Sequence, residues 1–335
     1  MNDDNLAACQ TPVGESPQTG RDAIYPQAFS GAHKTAAADV YLSEPATAKL
    51  AEFFEAKGLA AIKDEDASEH WYADWLAYQK SHRLYASMLS PKQYSSFGSE
   101  LDLLRLTRFL EVFAYFSPSH GYSFQVSFLG LFSILMGSNA ALKKEAVAAL
   151  EAGGLLAFGI SEKNYGSDLF GNEFTVRENG GGQSVANGSK YYIGNANSAE
   201  MISILARKED SVARRDKRTP FVLIALRPRS SAGFNNLRKI RTLGVRAAFV
   251  GAFSVTEHLL AVGDVIAEGR KAWDAVLARS RSANSSSDSA QSECASTPST
   301  RPWPISALAF STTSPYSRCR TFARQWRTRM CGCQR

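Results

Sequence analysis

The sequence predicts an α+β protein, an N-terminal α-helical domain followed by an antiparallel β domain, on three observations. Apolar residues recur at helical spacing up to Gly153-Gly154, short apolar runs bounded by turn residues follow, and neither period survives beyond about residue 279. The 335 residues divide accordingly into a flexible N-terminus (1–35), a helical domain (36–152), a β domain (153–264), the start of a truncated helix (265–278) and a low-complexity Ser/Arg-rich tail (279–335). That length holds two domains of ordinary size, and 44% hydrophobic content is normal for a chain with real cores.

The first 35 residues carry Asp3, Asp4 and scattered Pro and Gly, without the apolar stretch of a secretory signal. Residues 41–54 place Leu42, Ala46, Leu50, Phe53 and Phe54 at helical spacing, and 69–85 repeats the pattern. Its Trp71, Tyr72, Trp75, Tyr78 and Tyr85 read as packing residues. Residues 101–116 form an amphipathic helix with Arg105, Arg108 and Glu111 outside the apolar face. From 112 to 142 there is no charged side chain, but residues 117–121 interrupt the run and what remains falls short of the ~20 residues that cross a bilayer. The segment reads as a buried helix, with His120 as a structural residue at its start. One more short helix is expected at 143–150.

Strands are expected at 155–160, 173–178, 184–186 with 191–193, 201–206, 221–226, 240–243 and 249–255, and residues 264–269 read as a loop containing Glu268. Gly180-Gly181-Gly182 lies between two strands and reads as a hairpin tip rather than a phosphate loop, since no helix follows it. Neither a GxGxxG nor a GxxxxGK[ST] motif occurs, so a nucleotide cofactor would be held without those devices.

Two segments carry the chemistry. AFGISEKNYGSD, residues 157–168, runs from an apolar strand into a turn whose Gly166-Ser167-Asp168 exposes backbone N–H groups and a hydroxyl, which suit a phosphate. NGSKYYIGN, residues 187–195, offers Tyr192 and Ile193 as surfaces for one side of a planar ring, and Gly194 leaves room for close backbone approach. Together they suggest a dinucleotide with an aromatic head.

In order and content the pair resembles the middle domain of the acyl-CoA dehydrogenase family, in which an aromatic-x-x-Thr/Ser-Glu-x-x-x-Gly-Ser-Asp stretch precedes an Asn-Gly-x-Lys-x-Trp-Ile-x-Asn stretch. The likeness continues through Leu243-Gly244-Val245-Arg246 and from Val255 to Trp273. It implies FAD as cofactor, an acyl-CoA thioester as substrate, an electron-transfer acceptor and a homo-oligomer in the intact family. The implied reaction is α,β-dehydrogenation to the trans-2-enoyl thioester, in fatty acid metabolism. By motif matching, Phe158, Ile160 and Ser161 would contact the isoalloxazine side. Gly166 and Ser167 would meet the pyrophosphate, Ser167 also the acyl-CoA, and Tyr192 and Ile193 the opposite region of the ring. Gly194 departs from the family, which often has Thr or Ser there. The family's catalytic glutamate resides in its C-terminal helical domain, so the resemblance assigns no catalytic residue here; neither Glu162 nor Glu268 matches. A non-catalytic remnant of the same fold, an acyl-CoA oxidase and a related flavin monooxygenase are the alternatives.

The tail does not look like that C-terminal domain. Residues 280–335 hold thirteen Ser, no Lys, and Pro298, Pro302, Pro304 and Pro315. Because each residue largely fixes the first two bases of its codon, one can ask what a two-position shift would encode. Residues 280–293 then admit an apolar-periodic run such as TLGKFFLGFGSIGM, similar to the family's next helices. A frameshift near residue 278 is therefore expected to have replaced the domain; a natural disordered Ser/Arg tail is the alternative.

Residues 279–335 carry nine Arg against Asp288 and Glu293, a net +7 of the total +6, so the remainder is at −1 and nucleic-acid binding is not expected. Cys9 and four tail cysteines leave the body without any, which fits a reducing, cytoplasmic setting, and no metal site is expected at Cys331-Gly332-Cys333.

Overall fold

A computed structural model describes residues 42–179, 183–209, 221–261 and 263–276. The expected flexible N-terminus (1–35), the hairpin tip at Gly180-Gly181-Gly182 and the Ser/Arg-rich tail (279–335) lie outside the described residues.

Helix α1 (Pro45–Ala67) starts with Pro45 in its first turn, where a missing N–H leaves no bond unmade. It runs past the expected end because Gly58, at φ 77°, kinks the helix without ending it, and Ile62 and Asp66 bury beyond the kink. The stretch 69–85, read as one helix, is two, α2 (Ala73–Ser81) and α3 (Leu84–Leu89), because Arg83 between them is left-handed at φ 52°. Helix α4 (Leu103–Phe116) is capped by the Asp102 carboxylate, which accepts from the N–H groups of Leu104 and Arg105. Helices α5 (Pro118–Leu135) and α6 (Ala140–Glu151) complete the bundle, the second capped by Asn139. Its core is aromatic: Phe54 stacks on Trp75 and Phe116 at centroid distances of 5.4 and 5.5 Å, and Tyr72, Trp75 and Tyr85 are fully buried.

Among the described residues eight strands follow in one sheet: β1 (Leu155–Gly159), β2 (Thr175–Glu178), β3 (Ser184–Gly194), β4 (Ala199–Lys208), β5 (Phe221–Leu226), β6 (Phe234–Lys239), β7 (Val250–Leu260) and β8 (Val265–Glu268). The order is β6-β7-β3-β2-β4-β5-β8, with β1 also on β4. The sheet is mixed rather than wholly antiparallel. Strands β1 and β2 share one edge of β4 and both run parallel to it, β1 against the start of β4 and β2 against Arg207 and Lys208. The chain between them contains only a 3-10 turn, Leu169–Gly171, so a loop and not a helix makes this connection.

Three strand expectations need correction. No strand occurs at 240–243; the edge strand is β6, whose sequence FNNLRK is mostly exposed and therefore shows no apolar alternation. Residues 265–268 are strand β8, and Glu268 lies on it, paired with Lys208 at 2.9 Å. The two short runs at 184–186 and 191–193 are one strand, because irregularities near Gly188 and between Lys190 and Ile193 absorb the polar residues between them.

Helix α5 joins the bundle to the sheet. A side chain at Gly130 would place Cβ 2.7 to 3.1 Å from the Ala157 backbone, so only glycine lets α5 lie this close to β1. Ser203 Oγ donates to the Gly130 carbonyl at 3.0 Å. Asn195, fully buried at φ 58°, donates to Ser123 O, Leu156 O and Ser127 Oγ at 2.9, 3.1 and 3.2 Å. One amide thus ties α5, β1 and the end of β3 together. At the other end of the interface Asp66 accepts from Ser119 Oγ at 2.5 Å and from the Ala247 N–H at 3.1 Å, which fixes the Leu243-Gly244-Val245-Arg246 loop on α1.

Candidate functional site

The two motif segments lie side by side. Ser161 Oγ donates to the Tyr191 carbonyl at 2.7 Å, and the Tyr191 N–H donates to the Ser161 carbonyl at 2.9 Å. This continues the sheet past the end of β1 and sets Ile160 and Ser161 beside the irregular part of β3. There the register shifts between Lys190 and Ile193, Tyr192 takes φ 61°, and its ring stands 43% exposed, edge-on to Tyr191. A bulge re-aims a side chain in this way at the cost of ladder pairing.

Beneath the segments lies a buried ion pair. The Lys190 ammonium donates to Glu162 Oε1 at 2.9 Å and to the Ile160 carbonyl at 3.1 Å. Glu162 also accepts from the N–H groups of Glu173 and Phe174 at 2.7 and 2.9 Å. Burial pulls the Lys190 ammonium down to about 8, against the opposing pull of Glu162. Glu162 therefore braces the loop on both sides and is not a free base. Sequence reasoning did not single out this pair or Asn195, although Lys190 and Asn195 are the Lys and terminal Asn of the second segment.

From Glu162 the chain turns through Gly166 and Ser167, both exposed, into the 3-10 turn capped by Asp168, which accepts from the Phe170 N–H at 3.1 Å. Phe170 rests on Phe221 and Trp273, whose rings stack at 4.7 Å, and its carbonyl accepts from Arg207 at 2.8 Å. The turn is thus anchored at its far end while no atom lies within 4 Å of the Cβ position at Gly166. Open space there leaves the backbone N–H groups approachable.

Of the predicted residues, Ile160, Ser161, Gly166, Ser167 and Tyr192 are partly or wholly open, whereas the Phe158 and Ile193 side chains are buried in the core. Gly194 is buried too, and a Cβ on it would fall 2.7 Å from both Tyr122 Cε1 and Val126 Cγ2 of α5.

Residues 157–257 match the family model described as acyl-CoA dehydrogenase, middle domain. This segment is similar to the middle domain of acyl-CoA dehydrogenases. The fold of the chain is that of the solved acyl-CoA dehydrogenases. A glutaryl-coenzyme A dehydrogenase in complex with glutaryl-CoA superposes with a TM-score of 0.66 at 21% identity, over 76% of this chain and 65% of that one. The glutaryl-CoA dehydrogenase of Mycobacterium smegmatis in complex with FADH2 gives 0.63 at 18%, over 75% and 61%. Butyryl-CoA dehydrogenase from Megasphaera elsdenii gives 0.58 at 17%, over 77% and 70%. The chain thus spans 65% of the glutaryl-coenzyme A dehydrogenase it matches. No curated protein matches the sequence.

A groove of ≈ 840 Å³ lies elsewhere, between the end of α6, Gly153-Gly154 and β4. Its arginines are engaged: Arg227 pairs with Glu145 and with Asp264 at 2.7 Å, and Arg229 with Glu200 at 3.2 Å. Among the described residues no group of three or more His, Cys, Asp and Glu is placed to hold a metal, and no helix is long and apolar enough to cross a membrane.

Proposed function

We propose that the middle domain binds FAD between the 160–167 loop and the bulged end of β3, and that the protein is of the FAD-dependent acyl-CoA dehydrogenase type. The observation that carries this is the bulge between Lys190 and Ile193, which leaves the Tyr192 ring exposed next to Tyr191, the residue that bonds Ser161, whose loop continues to the open backbone of Gly166-Ser167. The residues fit such a group: a flat aromatic face, an anchored turn with free N–H groups, and space at the Gly166 Cβ position. The Ser161 hydroxyl already donates to Tyr191, so towards the ring it acts as an acceptor.

When bound, FAD accepts the β-hydride of an acyl-CoA thioester whose α-proton goes to a base, giving the trans-2-enoyl thioester and reduced flavin. The parts this chain supplies are positional. Ile160 and Ser161 line one side of the ring, Tyr192 and the Ile193-Gly194 backbone line the other region, Gly166 and Ser167 receive the pyrophosphate, and Ser167 also borders the acyl-CoA. No described residue is assigned as the base. An electron-transfer acceptor would reoxidise the flavin, and the setting is cytoplasmic fatty acid metabolism. The helical part (36–152) and the β part (153–264) act as two domains, with 265–278 leading into a third helical domain that the shifted reading frame from about residue 278 replaces.

Titration of the chain with FAD, followed by gel filtration and flavin absorbance, tests the site. Ser167→Trp should lower retained flavin because the indole blocks the pyrophosphate, while far-ultraviolet dichroism stays as in the parent. Equal flavin in both proteins would defeat the assignment.

A further inference from the structure

We infer that the Tyr122 hydroxyl is a hydrogen-bond donor to the ring seated against Tyr192 and Gly194, and that Tyr122 occupies the space a side chain at position 194 would otherwise fill. The inference deepens the flavin reading and rests on it.

The first observation is steric. Gly194 does not sit at a positive φ, so its own backbone would accept any residue. Its restriction comes from α5: a Cβ would meet Tyr122 Cε1 and Val126 Cγ2 at 2.7 Å and Tyr122 Oη at 3.1 Å. Contacts that short are not made without moving the helix, and the helix is tied down by Asn195 next in sequence and by Gly130 on β1. Tyr122 and Gly194 are therefore a matched pair, one large and one absent side chain sharing one volume. The phenol end, not only the ring, lies over the Gly194 backbone.

The second observation is the state of that phenol. Tyr85, on α3, shows how this protein treats a buried tyrosine: its oxygen accepts from Trp75 Nε1 at 3.1 Å and pairs with Ser123 Oγ at 2.6 Å. Among the described residues no such partner reaches Tyr122 Oη. Burial alone pushes the Tyr122 phenol up to about 12, with no hydrogen bond or charge acting on it, so the group stays a neutral donor at all physiological pH. A phenol hydroxyl that no protein group bonds, on a side chain only partly buried, is open to a partner supplied from outside. The residue is only partly buried, and the backbone it touches is two residues beyond the exposed Tyr192 ring. A heteroaromatic ring placed against Tyr192 brings acceptor atoms along its edge to that position.

The test uses the full chain and FAD. Tyr122→Phe keeps the ring against Gly194 and removes only the hydroxyl. It should weaken FAD binding about 5- to 10-fold, the factor for one lost neutral hydrogen bond, and shift the visible bands of the bound flavin, with the urea midpoint of the free protein unchanged or raised. Gly194→Ala should lower that midpoint in the parent and much less in a Tyr122→Ala background, since the alanine then has somewhere to go. Parent and Tyr122→Phe with the same affinity and the same flavin spectrum would overturn the inference while leaving the flavin site standing. A folded parent that binds no FAD would overturn the flavin reading and this inference with it. Equal destabilisation by Gly194→Ala in both backgrounds would refute the shared-volume part.

Discussion

At the scale of single residues, two buried titratable groups set distinct expectations. Lys190 is fully buried and held by Glu162, which also accepts from two backbone N–H groups. Lys190→Met removes the cation paired with the buried Glu162 carboxylate and should destabilise by about 3–5 kcal/mol. The double variant with Glu162→Gln should recover part of that loss, read from urea midpoints; no recovery would show that the pair is not coupled. His120 is a different case. Its Nδ1 bonds Ser117 Oγ at 2.7 Å, its ring stacks on Tyr72 at 4.3 Å, and its Nε2 lies 3.4 Å from Glu65 Oε2. Burial, helped by the Lys57 charge and opposed by Asp74, takes its pKa from 6.5 down to about 3. Between those values the unfolded chain binds a proton that the native protein refuses. Stability is therefore full above about pH 6.5 and falls as pH drops towards 3, by about 1.4 kcal/mol per unit at most. Glu65, raised by burial, titrates with the opposite sign near the acid end, so the reading is the difference between parent and His120→Phe. The variant should show the flatter acid limb. The structural role expected for His120 is thus given a mechanism.

At the scale of elements, the contact of α5 with β1 decides where the site's loop begins. Gly130 allows it, and Ser203 holds it from β4. Gly130→Ala pushes a methyl group into the Ala157 backbone and should cost about 1–3 kcal/mol. Ser203→Ala, which leaves a helical carbonyl with its intrahelical partner, should cost nearer 1 kcal/mol. Chemical denaturation of the two variants checks the order; a silent Gly130→Ala would mean α5 is free to move away. Elements with a strong local signal were legible in the sequence. The apolar face of α4, the strands β1 and β5 and the helix-to-strand change between Glu151 and Leu155 all stand where periodicity put them. Strand β6 was not legible, because an exposed edge strand needs no apolar alternation and takes its conformation from pairing with β7.

At the scale of the whole molecule, the chain shares the fold over 65% of the glutaryl-coenzyme A dehydrogenase it matches. If the proposed frame change has replaced the domain that would carry the base, proton abstraction loses a factor of roughly 10²- to 10⁴-fold. We therefore expect this chain to show no measurable reduction of an electron acceptor with acyl-CoA thioesters, even where FAD binds. Resequencing the nucleic acid across codons 270 to 290 should reveal the shift, and the repaired protein should bind FAD and turn over some acyl-CoA. Robust turnover by the present chain would refute the argument.

The sequence by itself determined the change from helices to strands and the two segments proposed as the site, because both are written in local periodicity and in short runs of particular residue types. It also marked Gly194 as unusual without saying why. Only the tertiary structure decided that Ile193 faces the core while Tyr192 faces out, since a bulge reverses the simple alternation that sequence reading assumes. It alone showed that Glu162 is neutralised by Lys190, that Asn195 ties three elements, and that Tyr122 fills the space over Gly194. Each of these is a contact between residues 28 or more apart in the chain, and no local pattern can specify which distant side chain will close against a given backbone.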